Sequence, residues 1–552
     1  MNRREALKAI SFVKSSKKGQ NRAFTFTGGI CPFSGNFDYQ TARHLLNRCN
    51  FGATNEQILQ AVEDGLESTL DQILSAVIPV TLPLNPSFEE DPNVPIGETW
   101  VGQPFAGGLA AVLYRIYSLQ NWTYEQLSAQ NISVQEKMTL FWHNQFAIHD
   151  IKDARFGYRY ASTLRDYSLG NFKDLVKAIC IDPMMLLFLN GHDNSVIAPN
   201  ENFARELLEL FTIGKGELVG PGEYTHYTEA DISELSKALT GWQYIGRYST
   251  ITNEPDSVFR AERHDDTEKV LSDRFNNEII QPAGELEYSN VVDIIFQQEE
   301  VAKFLCRKIY RWFVYYEIDE TIEEEVIAPL AELLRNENYE VEPVLRTLFS
   351  SEHFLDESRF GCQIKNPLDF IIGINKTCEV KLESDLVGRY QQFGLMSGFS
   401  DIFQMSSFNP PSVAGWKAYY QEPVFYQHWL NSVTLPFRIR YTKVVTSGGA
   451  TLFGTPIYVV DPLPLVAKLE LPSDVNRLLQ QLIRLLFPKP LSAGQILVLK
   501  NTLLGDLDDF EWETEYLEYF IDPTNENLAA PIRSRLKNLF TAMTEMAEFQ
   551  LM

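Results

Sequence analysis

The stretch Ser133-Val134-Gln135-Glu136-Lys137-Met138-Thr139-Leu140-Phe141-Trp142-His143-Asn144-Gln145-Phe146-Ala147-Ile148-His149 decides how the rest of the chain is read. Laid out at 100° per residue, Met138, Leu140, Phe141, Trp142, Phe146 and Ile148 leave almost no face for solvent, so a helix over 133–149 belongs at the centre of a protein. The polar interruption comes from Glu136, Thr139 and His143, at i, i+3 and i+7, which share one stripe. A carboxylate and an imidazole on a buried stripe need a partner, because an unpaired buried charge is costly. Two readings follow: a hydrogen-bonded structural pair, or contacts to a metal ion or substrate. A haem variant would use His143 as an axial ligand.

Working outward, helical periodicity dominates. A helix opens at Asp38 and ends before Gly52, with Ala42, Leu45, Leu46 and Cys49 on one face. Residues 79–109 hold six prolines and read as a long surface loop. Helical patterns fill 110 to about 240, and a polar, Asp- and Asn-rich stretch at 246–290 interrupts them. They resume over 291–378, give way to an irregular zone at 396–425, and a short hairpin fits 443–460. Further helices are expected over Val475–Phe487, Ala493–Leu504 and Pro531–Glu548. Alternating patterns are too few for a large sheet. The expected architecture is all-α and bundle-like, in two or three closely packed lobes: a leader or tail at 1–37, an N-terminal helical lobe at 38–245, an irregular insertion at 246–290 and a C-terminal helical lobe at 291–552. A chain of 552 residues is long for one core, since single cores stop growing near about 250–300 residues.

Two more helices carry inward polar groups. Over Asn200–Gly214, Asn200 suits an N-cap and Gly214 a C-terminal stop, while Phe203, Leu207, Leu210, Phe211 and Ile213 form the apolar stripe. Glu206 projects inside that stripe and Glu209 lies at its edge. Such a pair can share a cation or an acid/base role, or it can anchor basic side chains. On the helix Val301–Val314, Lys308 falls within the apolar stripe and is the expected counter-ion for Glu206, with Arg48 as a further candidate. His264-Asp265-Asp266-Thr267-Glu268-Lys269 gathers a histidine and acids in an irregular region, where ligands are often presented.

Composition narrows the function classes. Hydrophobic residues make up 45% and charged residues 22%, which excludes disorder for most of the chain. The net charge of −25 disfavours a nucleic-acid partner, whose phosphates are neutralised by Lys and Arg. The only dense basic run is Lys14–Arg22, which reads as a solvated tail. No stretch approaches the roughly 18–20 apolar residues of a transmembrane span. The six cysteines show no metal-clip spacing and read as free, mostly buried thiols. Phosphate-binding glycine loops, the zinc-protease His-Glu-x-x-His and the hydrolase Gly-x-Ser-x-Gly elbow are absent from the sequence. Arg3-Arg4 sits where a twin-arginine export signal would place it, but the apolar segment after it is short and Lys14, Lys17 and Lys18 follow. This N-terminus alone is therefore expected not to direct cleavage and export, so that the protein stays cytoplasmic or leaves with a partner.

Several blocks, in order, resemble a bacterial family designated domain of unknown function 1800. They include His44-Leu45-Leu46-Asn47-Arg48 with Phe51-Gly52, Phe141-Trp142-His143-Asn144, Asn200-Glu201-Asn202-Phe203-Ala204-Arg205-Glu206-Leu207-Leu208-Glu209-Leu210, and Ala238-Leu239-Thr240-Gly241-Trp242. His264-Asp265 with Lys269, Lys308-Ile309-Tyr310-Arg311-Trp312 and Pro410-Pro411-Ser412-Val413-Ala414-Gly415-Trp416 complete the series. The family's usual pattern has a second histidine where this chain has Gln145. The resemblance implies no agreed activity and no particular cofactor. It implies frequent export and a cell-envelope role, with a possible partner from a phosphatase- and sulfatase-like family often encoded nearby. Two expectations result: a central polar site of His143, Glu136, Glu206 and Glu209 that binds a cation or performs acid/base chemistry, or a non-catalytic scaffold whose inward polar residues only specify packing. Metal analysis and an absorbance spectrum separate them.

Overall fold

The computed structural model describes residues 29–75, 80–129, 132–221, 223–251, 254–448, 451–452, 455–456 and 459–552. Arg3, Arg4 and the basic run Lys14–Arg22 lie outside the described residues. The chain folds as an all-α protein, and among the described residues its strands form only two-stranded antiparallel ribbons, the longest pairing Trp242–Ile245 with Asp256–Phe259.

Local chemistry explains the helix boundaries. Asp38 caps the helix Tyr39–Cys49 by accepting the amides of Gln40 and Thr41. Residues 80–108 hold no helix, as their prolines dictate. The central helix runs over Gln135–Gln145 and stops short of His149, because Phe146 leaves helical geometry at φ −109°, ψ 51°. Every residue from Glu136 to Gln145 is buried. Trp142 stacks on Phe172 at 5.4 Å and Phe141 meets Trp312 edge-on at 5.6 Å. Each such aromatic contributes roughly 1.5–3 kcal/mol on leaving water.

Elsewhere the boundaries move. The helix Leu386–Ile402 runs into the zone expected to be irregular from 396, and Asp509–Ile521 is a helix that periodicity did not signal. The last long helix spans Glu526–Thr544 rather than Pro531–Glu548: Asn525 caps it, and Pro531 sits inside it. The expected hairpin at 443–460 is a helix to Ser447 followed by a ribbon of Thr451–Leu452 with Thr455–Pro456.

Helices far apart in the sequence pack together near the central helix. Leu109–Ala129 packs along Leu386–Ile402, and Gln135–Gln145 along Ala154–Asp166. Lys137 forms an ion pair with Asp369, and buried apolar side chains from Ala42 to Phe549 make one connected cluster. Among the described residues no helix is long and apolar enough to cross a membrane.

Candidate functional site

The four residues expected to form one site fall into three environments, with only Glu206 and Glu209 side by side. Glu136 is held bidentately by Arg165, at 2.7 and 2.8 Å, with both side chains about 5% exposed or less. Arg165 comes from the amphipathic helix Ala154–Asp166 and lies 4.8 Å over the Trp122 ring. Both carboxylate oxygens are taken up by the pair, while Arg165 Nη1 has no partner.

His143 is buried among Trp416, Phe408 and Tyr160, with ring centroids 5.4–5.8 Å away. Tyr160 donates its hydroxyl proton to the Phe146 carbonyl at 2.5 Å, so its oxygen accepts from His143 Nδ1 at 3.2 Å. This assignment leaves Nε2 as a bare lone pair, and it has no partner. Burial pushes the imidazole down to about 3, so it is neutral at pH 7.

Glu206 ends an α-helical turn, Glu201–Glu206, that continues as a π-helix over Leu207–Thr212. Glu209 forms an ion pair with Lys215 at 2.5 Å and accepts from the Tyr227 hydroxyl at 3.4 Å. Glu206 is half-buried; desolvation and the neighbouring Glu209 raise its pKa, against the pull of Arg205 and Lys215. The expected counter-ions Lys308 and Arg48 serve neither acid. Lys308 donates to Gln145 Oε1 at 2.6 Å and to the Leu210 carbonyl at 3.0 Å. The Gln145 amide donates to the Leu210 and Phe211 carbonyls, at 2.9 and 2.8 Å. The reason is that carbonyls ending a helix lack intrahelical donors, and these two side chains supply them. Burial, with Arg311 nearby, lowers Lys308 to about 7. Arg48 instead contacts Arg359 and Cys362.

The loop at 264–269 is likewise closed. Glu287, fully buried, accepts from His264 Nε2 at 3.0 Å and pairs with Lys269. Among the described residues, no three His, Cys, Asp or Glu side chains are grouped to hold a metal ion.

A cavity of about 600 Å³ opens where the end of the central helix meets the irregular segment 404–429. Trp416 and Trp429 supply aromatic faces, His149, His428 and Lys417 supply basic groups, and Gln404, Ser406 and Asn409 add neutral polar atoms. None of its lining residues is a carboxylate. The segment is fastened by the Trp416 amide, which donates to Asn144 Oδ1 at 2.9 Å. Gly415 has φ +86°, and a Cβ there would come within 2.4 Å of that same oxygen, so this close approach requires glycine. The indole N–H of Trp416 and Nε2 of His428 have no partners. Desolvation and Lys417 lower the His428 pKa. Sequence reading quoted Pro410–Trp416 only as part of a resemblance, and His149 only as a helix end; His428 and Trp429 carried no periodic signal.

Fold and site together define a helical protein built on a buried aromatic helix, with an open cavity of tryptophans and basic groups at its end. The family model described as "Protein of unknown function (DUF1800)" matches residues 44–551, and the chain belongs to that family. No curated protein and no solved structure matches it.

Proposed function

We propose that the cavity beside the central helix binds an organic ligand that joins a flat, weakly polar face to an anionic group, and that its imidazoles give it acid/base capacity. The observation that carries this reading is the lining: two tryptophans, two histidines and a lysine with no carboxylate, in a chain of net charge −25. A planar ligand face stacks on indole, an anion is attracted by an ammonium, and imidazole N–H groups can donate to it. The reading includes His143 only indirectly: it does not line the cavity, but its ring meets that of the lining residue Trp416 at 5.5 Å. Glu136, Glu206 and Glu209 are read as scaffold residues.

The second reading, a non-catalytic scaffold, is favoured by the closed pairs Glu136–Arg165 and Lys137–Asp369, which need no ligand. Envelope placement and a phosphatase- or sulfatase-like partner rest on the family resemblance. Titrating the full chain with glucuronate, a hexose phosphate and benzoate, followed by tryptophan fluorescence, tests the binding reading. Saturable binding of at least one, weakened about tenfold or more by Lys417→Gln at low salt, supports it. Binding by none of the three, with the chain folded, favours the scaffold.

A further inference from the structure

Arg48, near the end of the helix Tyr39–Cys49, is 1% exposed. Its Nη2 donates to the Arg359 carbonyl at 3.1 Å and to Cys362 Sγ at 3.1 Å. Its Nε and Nη1 have no partner, and no carboxylate among the described residues forms an ion pair with it. A guanidinium cannot shed its proton in a protein, so a buried one calls for an anion or a full set of acceptors. One group in contact with it can become an anion: the thiol of Cys362.

The other cysteines differ. Cys49, Cys180, Cys306 and Cys378 are buried, and burial pushes their thiols up, Cys180 and Cys378 to about 12. Cys31 is exposed, and Cys362 is half-buried. The remaining groups that act on Cys362 are Tyr310 and Tyr426, with Arg359 and Asp319 acting on Tyr310; Arg48 also interacts at longer range with His44, Cys49, Lys137 and Asp369, and Asp369 is itself paired with Lys137. Burial raises both phenols, so they stay neutral. In the thiol form, the S–H faces the Val314 carbonyl at 3.4 Å.

We propose that Cys362 is a redox-modification site, at which a thiolate paired with Arg48 reacts with a hydroperoxide. The sulfur attacks the terminal peroxide oxygen; an S–O bond forms, the O–O bond breaks, and the proton of the hydroperoxide leaves with the departing oxygen as an alcohol or water. Sulfur is oxidised to sulfenate, the peroxide is reduced, and the negative charge passes from sulfur to the sulfenate oxygen. The unpartnered Nε and Nη1 of Arg48 supply donors for that oxygen. A partly accessible cysteine beside a cation is the kind that climbs the oxidation ladder first.

Alkylation of the full chain by iodoacetamide across pH, read by peptide mass spectrometry, tests this directly, with exposed Cys31 as the internal reference. Cys362 is expected to reach half its maximal rate at least one pH unit below Cys31, and Arg48→Gln is expected to raise that midpoint to the value for Cys31 or above. Brief hydrogen peroxide followed by dimedone should label Cys362 before Cys31. A Cys362 midpoint equal to or above that of Cys31 in the unsubstituted protein overturns the proposal, and so does dimedone labelling that favours Cys31. Because both readouts are made on the unsubstituted chain, they decide the matter even where Arg48→Gln fails to fold.

Discussion

Two regions of this molecule differ in how their buried imidazoles and acids are partnered. Inside the bundle, Glu136 is paired with Arg165, Lys137 with Asp369, and Glu287 with both His264 and Lys269. Around the cavity, the Trp416 indole, His428 Nε2 and the adjoining His143 Nε2 have no partner. Satisfied groups hold helices in register, whereas unsatisfied ones carry a desolvation cost that packing alone does not explain. The framework also holds unpartnered nitrogens, on Arg48, Arg165 and Trp312, but its buried acids Glu136, Asp369 and Glu287 are all paired, whereas the cavity lining has no acid at all.

The largest test removes one half of a closed pair. Glu136→Ala leaves the Arg165 guanidinium buried and uncompensated, and about 3–5 kcal/mol of stability should be lost in urea unfolding. A loss under about 1 kcal/mol would erase the distinction between the regions. The next test uses acid. His143 has a folded pKa of about 3, against an ordinary value near 6.5, so between these values the unfolded chain binds more protons. Its contribution is complete above about pH 6.5 and fades as the pH falls toward about 3. Between pH 6.5 and 5 the loss should be about 2 kcal/mol, and His143→Gln should flatten the urea-midpoint profile by that amount. His353 and His44, also held low by burial, account for acid sensitivity that persists in the variant.

A finer comparison sets two tryptophans side by side. The indole N–H of Trp142 donates to the Ser168 carbonyl at 3.2 Å, and that of Trp416 donates to nothing. Trp142→Phe should therefore cost about 1 kcal/mol more than Trp416→Phe in denaturant unfolding. Equal costs would mean that the cavity tryptophan is bonded after all. The smallest effect belongs to the partly exposed pair Glu209–Lys215. Lys215→Gln should change stability by no more than about 1 kcal/mol, less at high salt.

What the sequence made legible follows the same division. The aromatic cylinder around Trp142 announced a buried helix, and the inward stripe announced that Glu136 needed a partner. The partner itself, Arg165, lies one helix further on, and nothing local distinguishes it from other arginines on amphipathic faces. Lys308 was correctly read as inward-facing, but its destination was not legible. The choice between the Glu206 carboxylate and the Leu210 carbonyl depends on how a helix ends in three dimensions. The cavity was least legible, because Trp416, His428 and Trp429 sit on irregular backbone, where no period fixes which way a side chain points.

The contact between Gly415 and Asn144 has a consequence for anyone moving this site elsewhere. A side chain at position 415 would collide with the very oxygen that receives the Trp416 amide, so the loop and the helix end form a matched lock and key. Grafting the tryptophan loop onto another helical scaffold would carry nothing with it unless the Trp142–Asn144 segment travelled too. In a chimera, those two pieces make up the smallest transferable unit.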